Sequence, residues 1–124
     1  MPAAATLEAF IAAVERGDHV KAIENFYTAN ATMRENQTAP RNGRTTLMAH
    51  ESAVLARTAS VVSTCVHPVF VNGDHVVIRW MFRFEWQDGT VTLMEELAYQ
   101  RWERERIAQE QFFYDPAQRV PKQP

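Results

Sequence analysis

Apolar residues in the first part of the chain return every three or four positions, and from Val61 onward they return every second position. Leu7, Phe10, Ile11 and Val14 follow the i, i+3, i+4, i+7 spacing that lines one helix face, predicted over about 6–16. Thr6 suits its N-cap and Gly17 the left-handed residue after its end. Asp18 can cap a second helix, HVKAIENFY, burying Val20, Ile23, Phe26 and Tyr27. A short strand at ATMREN follows, then the loop QTAPRNGR, punctuated by Pro40 and Asn42-Gly43. Thr45 or Thr46 opens a third helix, TLMAHESAVLARTAS, whose apolar stripe holds Leu47, Val54 and Leu55 together with Glu51.

The period-two region divides into four strands, over 61–72, 75–86, 91–103 and 107–115. The turns NGDH and QDGT carry the glycine that tight hairpins need, whereas ERER does not. Two-residue loops at Gly73-Asp74, Asp88-Gly89 and Arg104-Glu105 would set His67 against Trp80, Trp80 against Leu97, and Leu97 against Phe112. The neighbouring rows on that face are Val69, Ile78, Tyr99, Glu110 and Cys65, Phe82, Glu95, Tyr114. The face is apolar except for His67, Glu95 and Glu110. Glu96 falls on the opposite face with Val66, Phe70, Met81, Trp102 and Phe113, among arginines and glutamines. A mixed face of that kind suits water or a second subunit. Three helices followed by an antiparallel meander make a single α+β domain over 1–124, with its core at about 6–116 and an extended, proline-containing tail at 117–124.

Composition narrows the functional classes. A chain of 124 residues with 3 Trp, 3 Tyr and 7 Phe can build one real core. A net charge of −2 gives no electrostatic case for nucleic acid or an anionic membrane. Cys65, the single cysteine, has no internal disulfide partner and fits a reducing compartment. The alanine-rich start lacks a basic segment and carries Glu8 and Glu15, unlike a signal peptide. No apolar run approaches the roughly 20 residues of a membrane helix, so a cytoplasmic location is expected. The four histidines lack metal-ligand spacing and no glycine-rich phosphate loop is present, so neither metal nor cofactor is expected.

The order helix, helix, short strand, helix, meander is similar to the nuclear transport factor 2-like fold. The block EELAYQRWERERIAQEQFFYDP resembles the SnoaL-like branch, with Arg104-Glu105-Arg106-Ile107 standing where that branch often has Asp-Gly-Lys-Ile. FYTANATMREN and PRNGRTTLMAHES resemble its earlier blocks. The resemblance implies a cone, in which a strongly curved antiparallel sheet wraps the helices around an internal pocket. Branches of this superfamily include polyketide cyclases, ketosteroid isomerase, limonene epoxide hydrolase and scytalone dehydratase. It also implies a homodimer through the open sheet face.

Glu95 and Glu110 are the candidate acid–base groups, because an apolar surrounding raises a carboxyl pKa toward neutrality. Each has a plainer reading as an arginine partner or a group at the sheet's rim. His67, on the same face, is a candidate proton shuttle or an ordinary core histidine. Glu51 on its helix stripe and Glu35 before the loop are candidate pocket residues, or surface charges. Tyr27, Tyr99 and Tyr114 can donate hydrogen bonds to a ligand or simply pack. Trp80, Phe82, Leu97 and Phe112 would form the apolar wall. The expected function is a pocket for a small, largely apolar ligand bearing carbonyl or hydroxyl groups, with cofactor-free isomerisation, cyclisation or dehydration as the chemistry. The alternatives are a non-catalytic ligand-binding protein and a dimeric interaction module.

Overall fold

The computed structural model describes residues 1–124 as three helices and a curved, open six-stranded sheet. Helix α1 (Ala4–Glu15) buries Leu7, Phe10, Ile11 and Val14, the face its spacing predicted. Its N-cap is Ala3, three residues before the expected Thr6, and no side chain caps it. Its end is a Schellman arrangement: Gly17 at φ +89° lets the Gly17 and Asp18 N–H groups reach the Val14 and Ala13 carbonyls. Helix α2 (His19–Phe26) follows at once, and strand β1 (Tyr27–Glu35) starts earlier than expected, at Tyr27. After the two-residue strand β2 (Arg41–Asn42), helix α3 (Arg44–Leu55) ends sooner than its pattern suggested. Thr58, Ala59 and Ser60 belong instead to strand β3 (Thr58–Asn72).

Strands β4 (His75–Trp86), β5 (Val91–Glu103) and β6 (Arg106–Phe113) complete the sheet, in the order β2-β1-β6-β5-β4-β3. The sheet is mixed rather than wholly antiparallel, because β1 lies parallel to β6. Phe10 ties the layers together, packing edge-on against Phe26, Tyr27 and Trp102 at centroid distances of 5.6, 6.1 and 5.9 Å. No helix is long and apolar enough to cross a membrane.

The register departs from expectation at three places. The β3–β4 turn is the expected two-residue loop, since Asn72 pairs with His75. Between Val66 and Phe70, however, β3 carries extra residues, so that Cys65 rather than His67 faces Trp80. Pro68 has no N–H to give the ladder, which suits it to such a bulge. His67 is therefore exposed at the sheet's margin.

The β4–β5 turn has three residues, Gln87-Asp88-Gly89. Trp86 donates its N–H to Thr90 at 2.9 Å, Gly89 donates to Trp86 at 2.9 Å, and Gly89 takes φ +86°. This closed turn followed by a left-handed glycine is a common three-residue hairpin. The added residue turns β5 over, pairing Trp80 with Glu96 and Met81 with Glu95. Met94, Ala98, Gln100 and Trp102 are buried, while Leu93, Glu95, Leu97 and Tyr99 face outward, the reverse of expectation.

The β5–β6 turn keeps its expected two residues, with Arg104 at φ +56° in place of a glycine. Trp102 pairs with Ile107 but Arg101 with Gln109, leaving Ala108 as a bulge. That extra residue turns β6 back, so Glu110 and Phe112 face the interior after all. Deleting Ala108 is expected to exchange the faces of 109–113 and to abolish cooperative thermal unfolding, measured by circular dichroism. A cooperative melt close to that of wild type would remove this account of the bulge.

The tail does not hang free. It forms a 3-10 turn (Pro116–Arg119), and Lys122 then exchanges backbone hydrogen bonds with Val91, 2.8 Å each way. The Gln118 amide accepts from the Glu95 N–H at 2.6 Å and donates to the Glu95 carbonyl at 3.3 Å. The tail thus satisfies backbone groups at the N-terminal half of β5, beyond the end of β6.

Candidate functional site

Helices and sheet enclose an open cavity of about 660 Å³. That lies within the range of about 300–1,000 Å³ usual for small-molecule sites. The β4 alternation supplies one wall: Trp80 stacks on Phe82 at 5.5 Å and Phe84 on Trp86 at 5.4 Å. Met33, Met94 and Phe112 add apolar surface. At the rim, the Arg57 guanidinium lies 5.5 Å from the centre of the Trp86 ring.

Five acidic residues line this cavity, and three of them, Glu110, Glu96 and Glu51, have raised pKa values. Glu110, from β6, is buried and accepts from the Tyr27 hydroxyl on one oxygen and from the Gln100 amide, at 2.6 Å, on the other. Burial pushes its pKa up to about 7, although both donors favour the charged form and hold it lower than burial alone would. Glu96, from β5, has no hydrogen-bond partner in the chain. It is half-buried and lines the cavity. Burial and then the Glu110 charge raise its pKa to about 8. Glu51, from α3, is raised as well, by burial first, while Arg41 opposes the shift. The Tyr27 hydroxyl is pushed up by burial and by Glu110, so it stays protonated.

The mouth is built differently. Burial tends to raise the Glu35 carboxyl, but the hydrogen bonds from Arg41 at 3.1 Å and Tyr114 at 3.0 Å, with Arg119 at 3.3 Å, hold it below the usual range. Glu35 is therefore an ionised anchor and not a proton carrier. Arg119 and Pro121 bring the tail into the cavity's lining. His19, hydrogen-bonded to the Ser63 hydroxyl at 3.2 Å, lines the same space, and burial lowers its pKa. No three His, Cys, Asp or Glu side chains converge as a metal site.

The structure thus gathers Tyr27, Glu35, Glu51, Trp80, Phe82, Glu110 and Phe112 around the cavity. Tyr114 stands just behind them, on Glu35. Glu95, Leu97, Tyr99 and His67 lie elsewhere: Glu95 is on the outer face, 2.8 Å from Arg79, and Leu97 and Tyr99 flank it. The single extra residue in the β4–β5 turn displaces Glu95, Leu97 and Tyr99, and the β3 bulge displaces His67. Glu96 enters the cavity in their place, with Gln100 and Trp102 buried behind it, and nothing short of the turn length could have revealed them.

A curved sheet wrapping helices around a pocket with buried carboxyls is the cone architecture of the nuclear transport factor 2-like proteins. The chain belongs to the SnoaL-like domain family, whose model matches residues 7–110. No curated protein matches it. Solved structures share the fold. One is a putative SnoaL-like polyketide cyclase from Mesorhizobium loti, with TM-score 0.74, 22% identity, and 90% of this chain and 97% of that chain covered. A second is a hypothetical protein of ketosteroid isomerase-like fold from Catenulispora acidiphila, in complex with trimethylamine, with TM-score 0.76, 21% identity, and 91% and 87% covered. A third is an NTF2-like protein of unknown function from Burkholderia pseudomallei, with TM-score 0.76, 14% identity, and 90% and 89% covered.

Proposed function

We propose that this protein binds a small, largely apolar molecule bearing a carbonyl or hydroxyl group and moves a proton on it, using no cofactor. The observation that carries this reading is Glu96: a carboxyl without a protein partner, directed into an aromatic cavity that also holds the Tyr27–Glu110 pair. A carboxylate can take a proton from the carbon beside a carbonyl, and it does so better as its pKa rises toward the working pH. Raised to about 8, Glu96 is a far stronger base and is still partly ionised at neutral pH. The ionised Glu96 would accept a proton from the carbon beside the ligand carbonyl. The Tyr27 hydroxyl, whose one hydrogen goes to Glu110 while that carboxyl is ionised, would donate to the oxygen on which charge collects when Glu110 holds a proton, and the protonated Glu96 would return its proton elsewhere on the ligand. Isomerisation, aldol-type ring closure and dehydration all need this one exchange. The fold likeness to a putative polyketide cyclase agrees with a carbonyl-bearing ligand.

The outer sheet face favours a second element of the reading, a homodimer. Phe70, Met81 and Phe113 are exposed there, joined by Leu93, Leu97 and Tyr99. Trp102, expected among them, is instead buried in the core. A cytoplasmic setting, with Cys65 reduced, fits the same reading.

Proton transfer can be tested before the natural ligand is known, with 2-tetralone, an enolisable bicyclic ketone of suitable size. Its exchange of α-hydrogen for deuterium in heavy water, followed by proton NMR, is expected to be faster with the protein than in buffer. Glu96→Gln is expected to remove the acceleration, a loss of about 10²–10⁴-fold, and Glu95→Gln is expected to keep it. Equal acceleration by wild type and Glu96→Gln, or none by wild type across a panel of such ketones, would overturn the proposal.

A further inference from the structure

Behind the cavity, Trp102 and Gln100 form a buried polar chain that reaches it only at Glu110. The Trp102 indole N–H donates to the Gln100 amide oxygen at 2.9 Å, and the Gln100 amide nitrogen donates to Glu110 at 2.6 Å. Trp102, Gln100 and Glu110 are 1%, 0% and 3% exposed, so bulk water offers them no substitute partners. An indole nitrogen can only donate, and an amide has one accepting end and one donating end. The orientation of Gln100 is therefore fixed by Trp102. Turning the amide over would set oxygen against the Glu110 oxygen and N–H against N–H, two buried clashes with two hydrogen bonds lost. The other partner of Glu110 is free of that constraint, because the Tyr27 hydroxyl can rotate and can either give or accept.

We propose that Trp102 and Gln100 are positioning residues that decide which Glu110 oxygen takes the proton, so that protonation of Glu110 turns the Tyr27 hydroxyl outward as a donor to the ligand. When Glu110 is ionised, both its oxygens accept, one from Gln100 and one from Tyr27. When it takes a proton, the oxygen facing Gln100 stays blocked by an N–H that cannot turn. The proton must sit on the oxygen facing Tyr27. The Tyr27 oxygen then accepts, and its own hydrogen is released toward the cavity that its ring lines. The proton on Glu110 thus becomes a hydrogen bond at the ligand without leaving the buried pair.

The charged and titratable groups around this switch come from every layer. Glu51 faces it from α3 as a like charge that favours the protonated form, and Glu96, from β5, is itself raised by the Glu110 charge. Arg44 and Arg106 reach the Tyr27 carbonyl at 3.1 and 2.9 Å, on its backbone and not its hydroxyl. Gln100 is therefore the neutral donor that opposes burial and the Glu51 charge, from the side Tyr27 does not cover.

This inference gives its use to the proton-transfer reading, but it is tested without any ligand. The Glu110 side-chain carboxyl carbon would be followed by ¹³C NMR across pH in wild type, Gln100→Leu and Trp102→Phe. Gln100→Leu is expected to raise the Glu110 midpoint by about one to two pH units, since a hydrogen bond to the charged form is lost. Trp102→Phe, which only frees the amide to turn, is expected to raise it by less. In wild type, the Tyr27 ring carbon bearing the hydroxyl is expected to shift at the Glu110 midpoint, while the Trp102 indole proton keeps its hydrogen-bonded position throughout. A purely structural role would loosen the amide spectrum without moving that midpoint. Unchanged midpoints, or an indole signal that moves as Glu110 protonates, would overturn the inference. Should Gln100→Leu not fold, Trp102→Phe and the two wild-type signals decide. If these signals behave as expected while Glu96→Gln leaves ketone exchange untouched, the proton-transfer reading fails and the clamp stands.

Discussion

Glu96→Gln is expected to melt with wild type at pH 5 and well above it at pH 9. The folded protein holds the Glu96 proton up to about pH 8, whereas the unfolded chain releases it near the ordinary 4.5. Between those values the folded state binds more protons than the unfolded one, so stability falls as pH rises through the window. Each pH unit of such displacement is worth about 1.4 kcal/mol. Water entering the cavity and local relaxation reduce the total, leaving an expected gain of about 2–4 kcal/mol for the neutral amide at pH 9. For a chain of this length that is a rise in Tm of about 10 °C. Glu95→Gln is the control. Glu95 is half-exposed and paired with Arg79, so its replacement is expected to change stability by less than about 1 kcal/mol at either pH. Thermal melts of the three proteins at the two pH values measure both effects. A gain for Glu95→Gln at pH 9, with none for Glu96→Gln, would return β5 to the other register and remove the proposed base from the cavity.

Leu97→Glu is expected to convert a dimer into a 14.2 kDa monomer in sedimentation velocity at micromolar concentration. Leu97 lies on the outer face opposite Arg79 on one side and Phe113 on the other. Exposed apolar side chains lie on neighbouring strands about this point, more apolar surface than a monomer usually leaves to water. A carboxylate at the centre of an apolar contact should weaken pairing by about 100-fold or more. The monomer itself should be spared, because the new glutamate meets Arg79 across the strand pair. Wild type sedimenting as a monomer, or a variant that pairs as tightly as wild type, would exclude the outer face as the contact.

Sequence and tertiary structure divided the determination of this protein along clear lines. The 3.6-residue and two-residue periods in the sequence determined the three helices, the four long strands and their hairpin order. They also placed Trp80 and Phe82 on the interior face, because β4 alternates large apolar residues with arginines. On β5 the same rule had nothing to grip. Leu93, Leu97 and Tyr99 on one side and Met94, Ala98 and Trp102 on the other are both apolar, since one set fills the core and the other coats the open face. Only the turn could choose between them, and QDGT serves a two-residue or a three-residue loop with the same glycine. Tertiary packing made the choice. Seating Trp102 against Phe10 and Gln100 against Glu110 satisfies a large ring and a buried amide together, and the outward Glu95 finds Arg79. Glu110 was legible only because two register steps of one residue, at the β4–β5 turn and at Ala108 inside β6, cancel before Glu110 is reached. Which glutamate of β5 faces the cavity was decided by contacts between strands, and those depend on distances that no local period encodes.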